Sequence, residues 1–201
     1  MIFLDKKNQT KPYKKFYKLY DIALKKMQLY PEAAVISSYD KALDIVDSRF
    51  VNIKYILDDE WIFFSNYNSP KSKQFNSHNQ VSAILYWNSI NVQIRMKAHI
   101  KRTKSSFSDT HFHERSFDKN ILSISSDQSA PIENYEKFLT KYNLTLSKAK
   151  SDNTIKRPEY WGGFSFFPYS FEFWEGHASR LNKRELYLMQ NDLWVKSTLQ
   201  P

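Results

Sequence analysis

The sequence predicts an α+β chain, mainly β, with an antiparallel β-barrel at its centre and helices at its periphery. Aromatic residues make up 16% of the chain, a share that favours strands over a bundle of helices. Short runs rich in Val, Ile, Phe and Tyr follow one another, and turn-forming residues separate them. The connections between these runs are too short for parallel pairing, so antiparallel strands are expected.

The first predicted element is a helix. Residues 1–11 are polar and basic, and we expect them to form a flexible arm ahead of one domain over residues 12–201. The helix is predicted to begin after Thr10, because apolar residues then recur at three- and four-residue spacing. These residues are Tyr13, Phe16, Tyr20, Ala23 and Met27. The opposite face is interpreted as solvated and carries Lys14, Lys15, Lys18, Lys25 and Lys26.

Strands are expected from residue 33 onwards. Five are predicted in series, over residues 33–38, 49–57, 61–66, 81–87 and 92–101. Two helices follow, over residues 105–115 and 131–143. The tail returns to strands, over residues 163–167, 171–175, 185–189 and 193–198. Strands in series with short loops predict a meander that closes into a barrel.

Composition excludes several classes of function. Three glycines cannot supply the backbone positions of a glycine-rich nucleotide loop. Cysteine is absent, which excludes disulfides, thiolate nucleophiles and thiolate metal sites. The five histidines show no metal-binding spacing, so no metal site is predicted. No apolar run is long enough for a signal peptide or a membrane span, so a cytoplasmic protein without a membrane partner is expected.

The charge balance points to an anionic partner. The chain carries 30 basic and 21 acidic residues, a formal net charge of +9. Nucleic acid, a phosphorylated small molecule and an acidic surface all fit this charge. The lysines of the first helix are an ordinary solvated face in the simpler interpretation, so nucleic acid is not the expected partner.

Two segments are suited to binding an anion. Residues 49–54 form a predicted strand with Arg49 and Lys54 at its ends, although solvated edge charges would give the same pattern. Residues 65–74 form a polar turn that enters a short helix. Hydroxyls, backbone N–H groups and lysines converge there and suit a phosphate group, although an ordinary strand-to-helix turn is the simpler interpretation of the segment alone.

Three further segments stand out by their order along the chain. Residues 125–129 read S-S-D-Q-S, and residues 157–163 read R-P-E-Y-W-G-G. Two of the three glycines lie together beside Trp161, which indicates a backbone that other residues would not allow. Residues 172–176 read E-F-W-E-G, and residues 180–184 read R-L-N-K-R.

Taken in order, these segments resemble the pyridoxamine 5'-phosphate oxidase family of FMN enzymes. The resemblance covers about residues 11–201, and the ordered W-G-G, E-F-W-x-G and R-L-x-x-R elements carry it. It implies a split β-barrel, a homodimer and FMN as the cofactor. It also implies an oxidase in which the substrate gives a hydride to the flavin and molecular oxygen is the acceptor.

The resemblance also implies roles for individual residues. The FMN phosphate would meet Lys71, and Arg180 would cover the substrate ring. The residues implied to bind the cofactor are Arg49, Phe50, Val51, Asn52, Ile53, Lys54, Phe64, Ser65, Lys71, Gln93, Gln128, Ser129, Trp161 and Arg184. Those implied to bind substrate are Lys54, His111, Arg115, Lys119, Arg180 and Asn182, of which Arg180 and Asn182 hold the catalytic positions.

Four positions depart from the family pattern. Pro70 stands where a second phosphate-binding arginine is usual, and Asn182 replaces a histidine. His111 replaces a tyrosine, and Lys119 replaces a serine, both at positions that hold the substrate phosphate. An anionic and phosphorylated substrate is still expected. A relative that oxidises a different anionic ring, such as a dihydrophenazine, and a flavin-binding or nucleic-acid-binding module without turnover are the alternatives.

Overall fold

The computed structural model describes residues 1–152 and 155–201, and its ten strands in these ranges form one sheet. The strands are β1 (Phe3–Leu4), β2 (Ala33–Asp40), β3 (Ile45–Asn52), β4 (Tyr55–Leu57), β5 (Glu60–Asn66), β6 (Gln80–Trp87), β7 (Val92–Arg102), β8 (Trp161–Glu175), β9 (Lys183–Gln190) and β10 (Leu193–Leu199). The helices are α1 (Lys11–Lys25), α2 (Pro70–Ser77), α3 (Ser105–Glu114), α4 (Phe117–Ser125) and α5 (Tyr135–Asp152), with one 3-10 turn at Asn88–Ile90.

The sheet confirms the predicted class, α+β and mainly β with antiparallel pairing, but the expected meander that closes into a barrel is wrong. The strands are not in chain order, and among the described strands the sheet is not closed, because its end strands β1 and β3 do not pair with each other. The order is β1-β4-β5-β8-β7-β6-β2-β3, and β9 joins β8 and β10. The long strand β8 lies between β5 and β7, and only the β1–β4 pair is parallel among the described strands. Strands β5 and β6 follow one another in the chain but do not pair, because β8, which comes from the tail, lies beside β5.

Two predicted strand boundaries are wrong. The strand predicted over residues 49–57 is divided into β3 and β4, because the backbone changes its pairing partner there. The Ile53 N–H donates to the Glu32 carbonyl beside β2, whereas the Lys54 N–H donates to the Ile62 carbonyl of β5. The strands predicted over residues 163–167 and 171–175 are one strand, β8. Pro168 is tolerated there because Lys97 pairs with Ser170 and Ala98 pairs with Pro168, which leaves Tyr169 as the extra residue of a bulge.

The helix predictions are correct in type and less accurate in extent. Helices α1 and α3 agree with the predicted segments. The helix predicted over residues 131–143 begins only at Tyr135 and continues to Asp152. Helix α4 was not predicted, and it packs against α5.

The first residues of the chain differ from the flexible arm expected over residues 1–11. Ile2 is buried, and its N–H donates to the Tyr20 hydroxyl over 2.8 Å. Strand β1 pairs with β4. An apolar residue that reaches the core therefore fixes the start of the chain against α1 and the sheet.

Helix α1 buries the predicted apolar face, with two exceptions to the prediction. Tyr13, Phe16, Tyr20 and Ala23 are buried, whereas Met27 lies beyond the helix end and is exposed. Lys15 is not on a solvated face. Its Nζ donates to Glu175 and to Glu185, at 2.9 Å in each case.

Glu185 is the centre of this ion-pair group, and we expect it to make stability sensitive to acid. Burial raises the pKa of Glu185, but hydrogen bonds from Lys15 and Lys196 outweigh burial and hold the pKa at about 2. Because the folded pKa lies below the ordinary value, the stabilisation is present above about pH 4.5 and is lost as the pH falls towards 2. Glu185→Gln should lower the free energy of unfolding at pH 7 by about 1–3 kcal/mol.

Urea unfolding at pH 7 and pH 3 tests this expectation. The difference between wild type and Glu185→Gln should be smaller at pH 3. The matched control is Glu136→Gln on the exposed surface of α5, which should change stability little at either pH. A Glu185→Gln effect that is the same at both pH values would contradict the role assigned to the charge.

No helix of the described residues is long and apolar enough to cross a membrane.

Candidate functional site

A cavity of about 340 Å³ lies between the β3–β4 segment, β5 and the α3–α4 region. Its lining residues are Phe50, Val51, Asn52, Lys54, Phe64, Ser65, Lys71, His111, Arg115, Lys119, Gln128 and Trp161. A second cavity of about 380 Å³ shares Phe50, Lys71 and Gln128 with the first, and Arg49, Pro70 and Ser129 also line it. We call the two together the groove.

Every residue that lines the first cavity belongs to the set that the family resemblance implies. The structure therefore brings together residues from positions 50 to 161 of the chain, although their roles remain a prediction. Ile53 is the exception within the strand segment, because its side chain is buried in the core.

Arg49 is held at one end of the groove by bonds within the chain. Its guanidinium donates to the Ser38 hydroxyl over 2.6 Å and to the Gln74 side-chain oxygen over 2.9 Å. It also lies 3.2 Å from the Asp47 carboxylate. Burial lowers the pKa of Arg49, and Asp47 opposes this shift.

Lys71 lies beside Arg49 at the start of α2, where the chain turns from strand to helix as expected. Pro70 occupies the first helical turn, where its missing N–H is not needed. Lys71 is 8% exposed, and within the described residues its ammonium has no hydrogen-bond or ion-pair partner. Burial, and then the positive charge of Arg49, lower the pKa of Lys71. A buried cation without a partner indicates a site that an anion would complete.

Gln128 lines both cavities of the groove and is held in place by hydrogen bonds to the end of β5. Its side-chain oxygen accepts from the Ser65 hydroxyl over 3.1 Å and from the Asn66 N–H over 3.0 Å. The next residue, Ser129, has a φ of 67°, a left-handed conformation that few residues other than glycine adopt. The α4–α5 connection is therefore held against the end of β5.

Parallel aromatic rings form one wall of the groove. The ring centroids of Phe64 and His111 are 3.7 Å apart at an interplanar angle of 11°. The Trp161 ring lies 5.2 Å from Phe64, also at 11°. The guanidinium of Arg115 lies over Trp161, at 4.3 Å from the ring centroid. Phe64, His111 and Trp161 are therefore held parallel to one another where they line the groove.

The other end of the groove is a cluster of cations. Lys54, Arg115 and Lys119 line it, and none of them has a carboxylate within ion-pair distance among the described residues. Arg115 donates instead to the Ser123 hydroxyl and to the Lys119 carbonyl, each over 3.0 Å. Burial lowers the pKa of Arg115 to about 10, so the side chain is still a cation at neutral pH.

Burial and the neighbouring cations keep His111 neutral. Burial lowers the pKa of His111 to about 4, and the positive charges of Arg115, Lys54 and Lys119 add to this shift. At neutral pH this imidazole is therefore a hydrogen-bonding group without charge.

The two glycines after Trp161 accommodate side chains of this chain. A Cβ atom on Gly162 would collide with the Tyr67 hydroxyl, and one on Gly163 would lie 2.5 Å from the Thr103 hydroxyl. The Ser108 hydroxyl accepts from the Gly163 N–H over 3.0 Å. The glycines therefore allow α3 and its preceding loop to pack directly on β8, which places His111 and Arg115 at the groove.

Four expected residues lie away from the groove. Gln93 on β7 and Arg184 on β9 both pair with Trp174 of β8. Trp174 lies eleven residues after Gly163, so the strand between these two residues is about 36 Å long. Arg184 donates to Glu172 over 2.8 Å. In the following loop, the Asn182 side-chain oxygen accepts from the His177 N–H over 3.1 Å, and Arg180 has a φ of 62°. Neither Arg180 nor Asn182 lines the groove of this chain.

Three residues that contact the predicted site residues, or pair with them in the sheet, were not identified from the sequence. Gln74 holds Arg49, and Tyr55 hydrogen-bonds to His111. Trp174 lies between the positions of Gln93 and Arg184. The E-F-W-E-G motif was a signal for Trp174, whereas Gln74 and Tyr55 gave no signal, because their roles arise from tertiary contacts.

The fold and the groove define a class: a mixed α+β protein with a groove that is lined by cations and aromatic rings. Residues 161–201 match the family model described as the pyridoxine 5'-phosphate oxidase C-terminal dimerisation region. The chain is 31% identical to the pyridoxine/pyridoxamine 5'-phosphate oxidase of Coxiella burnetii, over 94% of this chain and 95% of that protein. It is 33% identical to the enzyme of the same name from Rhodopirellula baltica, over 85% of this chain and 78% of that protein. The chain belongs to the pyridoxine/pyridoxamine 5'-phosphate oxidase family, an oxidoreductase family, as the sequence motifs predicted.

Two solved structures share the fold. The structure of PhzG from Burkholderia lata in complex with tetrahydrophenazine-1-carboxylic acid has a TM-score of 0.89 at 22% identity, over 97% of this chain and 95% of that one. A pyridoxamine 5'-phosphate oxidase-related, FMN-binding protein from Nostoc punctiforme has a TM-score of 0.76 at 12% identity, over 96% and 99%. At these identities the similarity shows the fold alone.

Proposed function

We propose that this protein is an FMN-dependent oxidase of pyridoxamine and pyridoxine 5'-phosphates. The observation that carries the proposal is the distribution of charge along one aromatic-walled groove. Lys71, which has no partner in the described part of the chain, lies at one end, and the cations Lys54, Arg115 and Lys119 lie at the other. Such a groove suits two planar molecules, each ending in a phosphate.

The residues present fit FMN at the Lys71 end. A phosphate there would give the buried Lys71 ammonium the partner that it lacks, and the fixed guanidinium of Arg49 lies beside it. Phe50, Ser65 and Gln128 would bound the remainder of the cofactor. When bound, FMN would supply the acceptor for the substrate hydride and pass the electrons to molecular oxygen, chemistry that side chains alone do not provide.

The cation cluster at the other end would hold the substrate phosphate. Lys54, Arg115 and Lys119 supply positive charge, and His111 adds a neutral hydrogen-bonding group. Orientation of the substrate ring would follow from the flat wall of Phe64 and Trp161. The chain's contribution is thus binding and alignment.

The site is completed, in this proposal, by a second copy of the chain. Gln93, Arg180, Asn182 and Arg184 lie away from the groove of their own chain and belong to or border the segment that matches a dimerisation region. In a homodimer these residues would reach the partner's groove, with Arg180 and Asn182 over the substrate.

We expect sedimentation to show a homodimer. In thermal unfolding, the melting temperature of this dimer should rise with added FMN. A ligand that binds only the assembled state stabilises that state by mass action. The control is the same titration with riboflavin, which lacks the phosphate and should stabilise the dimer less. A monomer that carries FMN would contradict the shared site.

The proposed reaction can be tested by adding substrate to the FMN-loaded protein without oxygen. Pyridoxamine 5'-phosphate should bleach the flavin absorbance, and admitting air should restore it and release peroxide. Pyridoxamine without the phosphate is the matched control, and it should bleach the flavin far more slowly. Flavin that stays oxidised with every phosphorylated vitamer would contradict the proposal.

A second candidate is oxidation of a different anionic ring. It is favoured by the altered donors His111 and Lys119 at the substrate end, and the fold is shared with a protein solved with tetrahydrophenazine-1-carboxylic acid. Bleaching by a dihydrophenazine carboxylate but not by phosphorylated vitamers would select this candidate. Bleaching by neither would leave a flavin-binding module without turnover.

A further inference from the structure

Tyr55 and His111 form a hydrogen-bonded pair at the substrate end of the groove. The Tyr55 hydroxyl lies 2.7 Å from Nδ1 of His111, and the two rings meet edge to face at 5.3 Å. Tyr55 is fixed by edge contacts to Phe64 and Phe107, at 6.3 and 5.3 Å. These contacts hold the Tyr55 ring in place, with its hydroxyl against His111.

The imidazole of His111 is also fixed in orientation. It stacks on Phe64 at 3.7 Å, and α3 supplies it to the groove wall. With Nδ1 bonded to Tyr55 and the ring plane set by Phe64, only Nε2 remains to bond a ligand.

The groups facing the pair decide where its protons lie. Lys54, Arg115 and Lys119 face His111, and with burial they keep the imidazole neutral at pH 7, with one N–H. Glu114 faces Tyr55, and both burial and this carboxylate raise the pKa of the phenol, so Tyr55 keeps its proton. Glu114 and Nδ1 of His111 both attract the phenol proton, and the contact at 2.7 Å is the one with Nδ1. A phenol proton directed at Nδ1 would leave the single imidazole proton on Nε2.

We propose that Tyr55 is a positioning residue that holds His111 as the Nε2–H tautomer, so that His111 donates a neutral hydrogen bond to the anionic group of the substrate. The donor joins Lys54, Arg115 and Lys119 without adding a fourth positive charge. The neutral imidazole N–H would replace the neutral tyrosine hydroxyl that the family resemblance implies at position 111. The substrate contact rests on the proposed function, whereas the tautomer does not.

The tautomer can be measured by long-range proton–nitrogen NMR on the nitrogen-labelled, FMN-saturated protein at pH 7. Resonances of His111 are those missing in His111→Gln. We expect a single neutral form protonated at Nε2, and a mixture of tautomers in Tyr55→Phe, which keeps the ring and its packing. Tyr39→Phe is the matched control, because its hydroxyl bonds only to exposed Asp44 among the described contacts. A proton on Nδ1 in the wild type would overturn the proposal.

The substrate contact is tested by titrating inorganic phosphate into the same samples. Phosphate should shift the His111 Nε2 resonance, and Tyr55→Phe should weaken its binding about 2- to 10-fold, the effect of one neutral hydrogen bond. With a turning-over substrate, KM should rise by the same factor while kcat changes less than about twofold. Unchanged phosphate affinity in Tyr55→Phe would overturn the substrate contact. The expected tautomer together with absent turnover would support the pair and count against the proposed function.

Discussion

Lys71→Met should weaken FMN binding by about 10- to 150-fold. A charge-assisted hydrogen bond contributes about 1.5–3 kcal/mol, and Lys71 is a buried cation at the proposed phosphate end that has no partner among the described residues. Methionine keeps most of the side-chain volume, so the loss reports the charge. Quenching of flavin fluorescence on titration into cofactor-free protein measures the dissociation constant.

The same substitution should raise the melting temperature of the cofactor-free protein. Burial of an unpaired charge is unfavourable, and the lowered pKa of Lys71 shows that burial and Arg49 oppose its protonation. Lys73→Met is the matched control, since this lysine lies two residues on in α2 and is exposed. It should change neither quantity appreciably. FMN affinity that is the same in Lys71→Met and Lys73→Met would remove Lys71 from the phosphate site.

Arg49 is a less direct probe of the same site. Its guanidinium bonds to Ser38 and Gln74 and pairs with Asp47, so its removal would leave buried polar groups without partners. A loss of FMN affinity in an Arg49 variant would therefore combine a missing phosphate contact with a disturbed strand pair. Lys71 has no such contacts among the described residues, which is why it separates binding from folding.

The fold was predictable where one local period dominates. The three- and four-residue spacing of Tyr13, Phe16 and Tyr20 gave α1, and the alternating or continuous apolar runs gave most strands. Local pattern failed where a tertiary contact decides. The strand predicted over residues 49–57 is divided because its backbone changes pairing partner from β2 to β5, and β8 lies beside β5 because the tail returns to the sheet.

The groove was predictable from the ordered motifs and not from any one of them. Arg49 and Lys54 taken alone are ordinary edge charges, and only the family resemblance joined them to His111 and Trp161, more than fifty residues away. The structure then brought these positions to one groove. Tyr55 was not foreseen, since its importance lies in one 2.7 Å contact with a residue on a different element. A contact between residues on two different elements leaves no periodic pattern in the sequence.

Arg115→Met should raise the KM for a phosphorylated substrate by about 10- to 150-fold, with a smaller change in kcat. The side chain remains a cation at neutral pH, has no carboxylate partner among the described residues, and is aligned over Trp161 by bonds to Ser123 and the Lys119 carbonyl. A pre-aligned guanidinium loses little freedom on meeting a phosphate, so most of a charge-assisted bond appears as affinity. Initial rates of peroxide release against substrate concentration measure both constants.

Two further variants, Arg115→Lys and Arg102→Met, separate the contributions that charge, planar shape and ring packing make to the effect on KM. Lysine keeps the charge but not the planar fork, so its KM should lie between those of the wild type and Arg115→Met. Arg102 also lies over an aromatic ring, Tyr67, at 4.1 Å, but outside the groove. Its replacement removes a similar stacking contact and should leave KM unchanged. Equal effects of Arg102→Met and Arg115→Met on KM would mean that ring packing, and not a phosphate contact, accounts for the result, and the substrate end would have to be assigned elsewhere.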